Sequence, residues 1–223
     1  MLFESKLSYN ANQKQMIDFL NGNVKTFLLK DKSFFIITSI EDATQEENII
    51  NLYNNYLYNS TSIVYKNMII SFYQKKEKMY FQEIIDSLSE DLGTRIKIFE
   101  GFRISLKNNL DFLKMFSIIE KYREKDYSYI NITDVILSTN TMNINTIREI
   151  LLCEELKDYN FITLVREMLK NDLNVSKAAN DLYMHRNTLN NKLDTIEFNT
   201  SISLRNFKGA LSLYELLKEY IKL

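Results

Sequence analysis

Apolar residues recur at helical spacing through the last third of the chain, and short polar segments separate the stripes they form. A stripe of this period predicts a helix that buries one face in a shared core. The four stripes are, in order, Phe161, Leu164, Val165, Met168, Leu169; Val175, Ala178, Ala179, Leu182; Leu189, Leu193, Ile196; and Phe207, Ala210, Leu211, Tyr214, Leu217. Together they predict an all-α bundle of about 60 residues, enough for one small core.

The polar segments between the stripes contain residues that begin and end helices. Residues 171–174 interrupt the first stripe, and Asn174 is a favourable N-cap for the helix that follows. Residues 183–185 form a turn, and the next helix begins near Arg186. The alanines at 178 and 179 allow two helices to cross closely. This arrangement predicts a helix-turn-helix motif, in which the second helix enters the DNA major groove.

The face of this second helix that lies opposite its apolar stripe is polar. An arginine can contact a guanine edge or a phosphate, asparagine can pair with adenine, and threonine can reach either a base or a phosphate. The residues concerned are Arg186, Asn187, Thr188, Asn190, Asn191 and Lys192. A solvated helix surface is the alternative, because the chain uses asparagine freely throughout.

The first hundred residues alternate between helical and strand patterns. The predicted elements are a helix at Ala11–Leu20, a hairpin of Val24–Leu29 with Ser33–Ile40, a helix opened by a Thr44/Glu47 capping box, a hairpin of Ser62–Tyr65 with Met68–Tyr73, a helix at 78–92 and a strand at Thr94–Ile104. One antiparallel sheet with helices on one face accommodates this order.

Residues 105–160 are expected to connect the two ends of the chain. Helical patterns near residues 110–122 and 144–152 flank a short strand at Tyr127–Ile132. The fold class is therefore α+β, with an N-terminal antiparallel-sheet domain at 1–104, a helical connector at 105–160 and a C-terminal helix-turn-helix domain at 161–223.

Composition excludes several classes of function. The 223 residues carry a net charge of −1, with nine Lys/Arg and seven Asp/Glu (+2) in residues 161–223. Cys153 is the single cysteine and His185 the single histidine, which leaves no ligand set for a metal or catalytic site. No apolar run approaches the roughly 18–20 residues of a membrane span. These features predict a cytoplasmic protein that is not an enzyme, has no cofactor or metal and does not bind membranes.

The run from Leu182 to Leu193 resembles the C-terminal helix-turn-helix of PucR/CdaR-type bacterial transcription regulators. The His185–Leu189 segment reads H-R-N-T-L, and the upstream N-V-S-x-A-A is matched at 174–179. The resemblance places His185 to Thr188 at the start of the recognition helix and Ser176 and Lys177 near the DNA backbone. The family often has Arg and Tyr where this chain has Asn190 and Asn191, so fewer phosphate contacts are expected.

The order of elements in residues 1–104 resembles the palm-like, GGDEF-related domain that often precedes this helix-turn-helix. The second hairpin turn reads Tyr65-Lys66-Asn67-Met68, without the Gly-Gly and acidic residues of an active cyclase. The resemblance therefore implies a degenerate domain that serves dimerisation or sensing.

The resulting hypothesis is a homodimeric transcription regulator that binds double-stranded DNA, with an unidentified small-molecule effector. An alternative is an interaction or ligand-sensing module whose helix-turn-helix has lost DNA binding. The residues expected to bind DNA are Ser176, Lys177, His185, Arg186, Asn187, Thr188, Asn190, Asn191 and Lys192.

Overall fold

The computed structural model describes residues 8–24, 32–75, 81–105 and 109–221, and the chain divides after Asn131 into two units. The expected connector at 105–160 is therefore shared, with its first part in unit 1 and residues 132–160 in unit 2. The division into 1–104, 105–160 and 161–223 stays a prediction.

Unit 1 contains a mixed sheet with helices. Its elements are α1 (Ala11–Leu20), β1 (Lys32–Ile40), α2 (Glu46–Tyr56), β2 (Thr61–Tyr65), β3 (Met68–Tyr73), α3 (Phe81–Asp91), β4 (Ile96–Glu100), β5 (Ile104–Ser105), α4 (Asn109–Glu120) and β6 (Tyr129–Asn131). The strand order is β2-β3-β1-β4-β6, and β5 pairs with β1. All pairs are antiparallel except β4–β6, which is parallel and was not predicted.

Helices cover both faces of this sheet, so the predicted one-sided cover is wrong. The side chains of Phe34 and Ile36 pack with α2 and α3 on one face. On the other face, the Phe35 ring lies 5.2 Å from the ring of Phe112 in α4. The reason is visible in β1, where consecutive residues are buried rather than alternate ones, as in strands that are covered on both sides.

Residues 25–29 of the expected hairpin strand Val24–Leu29, the partner of Ser33–Ile40, lie outside the described ones. The predicted capping box before α2 is wrong. Asp42, rather than Thr44, opens the turn before α2. Hydrogen bonds from the Thr44 hydroxyl and backbone N–H lower the pKa of the Asp42 carboxyl.

Most other elements of unit 1 are confirmed. The helix α1 has the predicted bounds, and β2 and β3 form the predicted hairpin. Its turn residues Lys66 and Asn67 both have positive φ, as tight hairpin turns require. The predicted strand Thr94–Ile104 is divided into β4 and β5 by residues 101–103. Of the predicted helix at 78–92, the described part is α3.

The described part of unit 2 contains six α-helices. They are α5 (Ile132–Ser138), α6 (Thr141–Leu151), α7 (Tyr159–Lys170), α8 (Val175–Asp181), α9 (Arg186–Thr200) and α10 (Phe207–Leu217). The helix α10 packs against α5, α6 and α7, while α8 packs against α7 and α9. Because α5 and α6 share the core of the helix-turn-helix, the unit begins well before residue 161.

The buried face of α10 is rotated from the predicted one. The residues it buries are Gly209, Ala210, Ser212, Leu213, Leu216 and Leu217. Phe207, which was expected in the core, is 75% exposed. Contacts with α5 and α6, which were not part of the predicted bundle, explain the rotation, since α10 also buries the sides that face these two helices.

Gly101 allows the close approach of the Phe35 ring in unit 1. A Cβ atom at residue 101 would lie 2.6 Å from Cζ of this fully buried ring. We expect Gly101→Ala to lower the free energy of unfolding by about 1–3 kcal/mol, the usual cost of overpacking a core. Urea denaturation, monitored by circular dichroism, would measure this change in the free energy of unfolding.

Gly93→Asn provides the control, because no atom lies within 4 Å of a Cβ there and asparagine tolerates its positive φ of 60°. We expect this control to lower the free energy of unfolding by less than Gly101→Ala does. Equal losses from both substitutions would contradict the packing explanation.

Candidate nucleic-acid interface

The helix α8 begins as its sequence predicts. The side chain of Asn174 accepts hydrogen bonds from the backbone N–H groups of Ser176 and Lys177, both at 3.1 Å. Ala178 and Ala179 are fully buried, and α8 packs against both α7 and α9. Side chains this small let the helix backbones approach closely, so the exposed groups at the start of α8 are held on a fixed support.

The turn between α8 and α9 is tight and is stabilised by backbone hydrogen bonds. The N–H of Tyr183 donates to the carbonyl of Asn180, and that of Met184 donates to the carbonyl of Ala179, both at 3.0 Å. Tyr183 adopts a left-handed conformation (φ 52°), and its side chain is 98% exposed. This C-terminal turn fixes the direction in which the chain enters α9.

The helix α9 begins at Arg186, as predicted, and His185 is its N-cap. The imidazole Nδ1 of His185 accepts a hydrogen bond from the backbone N–H of Asn187 at 3.2 Å. A neutral imidazole that accepts at Nδ1 carries its proton on Nε2, so this nitrogen remains a donor. The single histidine of the chain is therefore a helix cap whose second nitrogen can serve a ligand.

One side of α9 is anchored in the core of unit 2. Leu189, Leu193, Ile196 and Thr200 are buried, which confirms the predicted apolar stripe and adds one polar residue. The Thr200 hydroxyl donates to the carbonyl of Ile196 at 2.7 Å, so it satisfies its hydrogen-bonding capacity within the helix. This anchoring determines which side chains of α9 face solvent.

The structure leaves the predicted DNA-binding residues at the surface to different degrees. Seven are exposed, namely Ser176, Lys177, His185, Arg186, Asn187, Thr188 and Asn191. Asn190 and Lys192 are half-buried. Neighbouring groups therefore cover part of the Asn190 and Lys192 side chains, which the sequence pattern did not predict.

Lys192 faces a groove that carries acidic side chains. The groove has a volume of about 430 Å³ and is bounded by Thr188, Asn191 and Lys192 of α9 on one side. Its other residues include Glu154, Glu155 and Asp158, which precede α7 or stand at its N-cap. These carboxylates make the potential beside Lys192 less positive. Sequence reasoning had placed this segment in the connector and missed it.

Asn190 contacts Arg205, which lies in the loop before α10 and was also missed. Nη2 of Arg205 donates to the backbone carbonyl of Asn190 at 3.0 Å and to its side-chain Oδ1 at 3.4 Å. The same guanidinium pairs with Asp194 at 2.8 Å and with Glu197 at 3.6 Å. The only sequence signal is two carboxylates three residues apart on α9, and their spacing does not indicate which cation pairs with them.

The cations of unit 2 fall into two groups. Outside the predicted surface, every Lys or Arg of 132–221 whose side chain is described pairs with a carboxylate: Arg148, Arg166, Lys170, Arg205, Lys208 and Lys218. Lys177, Arg186 and Lys192 have no ion pair or side-chain hydrogen bond to any described residue. Among the described side chains of this unit, the unpaired positive charge therefore lies on α8 and α9.

The part of the chain that the structure describes contains no group of three or more His, Cys, Asp or Glu placed to hold a metal ion. None of its helices has both the length and the apolar character needed to cross a membrane.

The comparison with family models agrees with the geometry of unit 2. Residues 161–218 match the family described as the PucR C-terminal helix-turn-helix domain, which supports a role in transcription regulation. No curated protein matches the chain. Among solved structures, the chain is similar to a regulator of polyketide synthase expression from Bifidobacterium adolescentis, with 12% identity, a TM-score of 0.40 and coverage of 93% of this chain and 91% of that chain.

Tyr183 offers a test of the turn that orients α9. Its left-handed backbone disfavours any residue with a Cβ, and its exposed side chain contributes little packing. We expect Tyr183→Gly to raise the free energy of unfolding by roughly 1 kcal/mol. Tyr183→Ala is the matched control, because it removes the ring but keeps the Cβ, and it should not stabilise the protein. Equal effects of both variants in thermal denaturation would contradict this explanation.

Proposed function

We propose that this chain, whose residues 161–218 form a PucR-type helix-turn-helix domain, regulates transcription as a homodimer that places α9 in the major groove of double-stranded DNA. The start of α9, near Arg186, provides the contacts to bases. The exposed start of α8 lies along the phosphate backbone. Such a role would place the protein with the chromosome in the cytoplasm.

The distribution of unpaired cations is the observation that carries this proposal. A net charge of only +2 for residues 161–223 is low for a DNA-binding segment. However, a cation that is paired with a carboxylate attracts a phosphate only weakly, whereas Lys177, Arg186 and Lys192 are free to bind one. The low net charge therefore understates the positive charge that this surface presents to DNA.

Each side chain of the surface has a chemically suitable role. Arg186 has five donors and can contact guanine or a phosphate, while the amides of Asn187 and Asn191 can pair with adenine. Thr188 can reach either a base or a phosphate. His185 retains the Nε2 donor for a phosphate.

Ser176 and Lys177 at the start of α8 contribute contacts to the backbone. Asn190 and Lys192, which are half-buried, lie at the edges of the reading surface. The groove carboxylates beside Lys192 limit its contribution. We therefore assign the largest share of DNA binding to Arg186.

The small number of these cations supports a dimer. Three unpaired cations in one copy can displace few counterions from DNA, so a single copy binds weakly. Two copies joined by a two-fold axis double the contacts and read two half-sites of an inverted repeat. We assign dimerisation or effector sensing to unit 1.

A contact with another protein is the second candidate function. Phe207 is 75% exposed and borders a groove of about 350 Å³ whose other apolar residues are Leu169, Leu173, Ala210, Leu211 and Tyr214. Apolar side chains exposed together often mark an interaction site. If the bundle has lost DNA binding, this groove is the surface to examine by substitution.

Replacement of Arg186 tests the proposed recognition helix. We expect Arg186→Ala to weaken binding to a selected DNA duplex by about tenfold to a hundredfold, because a contact to a guanine edge or a phosphate is lost. Fluorescence anisotropy with a labelled duplex would measure the dissociation constant.

Arg166→Ala is the charge-matched control. Arg166 lies on α7 and pairs with Glu167, so it is not part of the proposed surface. We expect this variant to bind DNA nearly as well as the wild type. If the two variants bind equally well, α9 is not the recognition helix.

Selection of bound sequences from random DNA tests the dimer. We expect an inverted repeat whose half-site centres are about 10 base pairs apart, or a multiple of that distance. The logarithm of the affinity should fall with the logarithm of the salt concentration with a slope of about −5, from about three phosphates per copy. A single asymmetric site, bound by one copy in analytical ultracentrifugation, would contradict the proposal.

A further inference from the structure

Arg205 joins the loop before α10 to the exposed edge of α9. Its guanidinium contacts Asn190, Asp194 and Glu197, which follow each other along one side of that helix. We call these four residues the Arg205 cluster. Because all its members except Arg205 belong to α9, the cluster affects the charge and the hydrogen-bonding groups that this helix presents to a ligand.

The first consequence of the cluster concerns charge. The side chain of Asp194 is 68% exposed, so its carboxylate would repel a nearby phosphate. Arg205 pairs with it at 2.8 Å, and it also pairs with Glu197 at 3.6 Å. Without Arg205, the exposed Asp194 carboxylate would lose this ion pair on the same helix as Arg186 and Lys192, and its repulsion would weaken attraction to DNA.

The second consequence concerns the orientation of an amide. A guanidinium has donors only, so the contact at 3.4 Å turns Oδ1 of Asn190 towards Arg205. The Nδ2 group then points away and has no hydrogen-bond partner among the described residues. A free asparagine offers a donor and an acceptor to adenine, whereas this one offers a donor alone.

The loop that carries Arg205 is held firmly. Ile202 and Leu204 are buried, and the Ser203 hydroxyl donates to Glu197 at 2.8 Å. Gly209 lies so close to this loop that a Cβ would come within 2.0 Å of the carbonyl oxygen of Ser203. The guanidinium is therefore presented to α9 from a fixed position.

We propose that Arg205 is a positioning residue for DNA recognition, which neutralises the exposed Asp194 carboxylate of α9 and fixes Asn190 as a hydrogen-bond donor to an acceptor on a base edge. This inference rests on the proposed function. It does not require Arg205 itself to touch DNA.

The charge effect is tested by rescue. We expect Arg205→Ala to weaken binding to the selected duplex roughly tenfold, and Asp194→Asn in the same chain to restore most of that loss, since the repulsive charge is gone. If Arg205 only stabilised the fold, removal of the Asp194 carboxylate would not restore DNA affinity. Thermal denaturation of each variant confirms that it is folded. If Asp194→Asn does not restore the affinity, Arg205 contacts DNA itself and the proposal is overturned. It is also overturned if Arg205→Ala does not weaken binding.

The orientation effect is tested by base preference. Selection from random DNA with Arg205→Ala should change the preferred base at one position of each half-site, towards adenine, because Asn190 can then turn. Arg205→Lys keeps the charge without the forked donors, so it should retain affinity better than Arg205→Ala while showing the same altered preference. In an Asn190→Ala background, Arg205→Ala should leave base preference unchanged. Identical preferences in the wild type and Arg205→Ala would contradict this assignment.

The two proposals fail in different ways. If the wild type binds no duplex, both are overturned. If the wild type binds and loses affinity on Arg186→Ala, while Arg205→Ala matches the wild type in affinity and base preference, only the assignment of Arg205 is overturned.

Discussion

The burial of one side of α9 in the core of unit 2 determines what this protein can present to a partner. Leu189 and Leu193 have almost no exposed surface, and Ile196 has little. Each such side chain contributes about 1.5–3 kcal/mol when it is removed from water, so the rotation of α9 about its axis is strongly fixed. The exposure of Arg186, Asn187 and Asn191 on the remaining sides follows from this constraint rather than from any preference of their own.

Ion pairing then decides which charges remain available. Unit 2 holds most of its cations in ion pairs, and the unpaired ones with described side chains are confined to α8 and α9. A charge count along the sequence treats all cations alike and suggests a surface with too little positive charge to bind DNA well. Their pairing shows that a nearly neutral segment can still offer its free positive charge in one place.

Local signals explain what the sequence predicted well. Asn174 caps α8 and α9 begins at Arg186, because capping depends on residues only a few positions away. The tight hairpin at Lys66 and Asn67 was found for the same reason.

Contacts between distant residues explain what the sequence did not reveal. The apolar run of β1 was read as one-sided, although it serves two layers of helices, and the parallel pairing of the predicted strand β6 with β4 has no short-range signature. The pairing of Arg205 with Asp194, and the acidic groove beside Lys192, depend on how loops fold back on α9. Sequence spacing gives the face of a helix, but it does not give the groups that pack beside that face.

Site-specific photo-crosslinking of the full-length protein to its selected DNA tests the central claim most directly. A photoreactive amino acid at Asn187, on the outward side of α9, should crosslink to DNA, while the same amino acid at the exposed Phe207 should not. Crosslinks to DNA from residue 207 and none from residue 187 would show that another surface meets the duplex, and they would contradict the account given for α9.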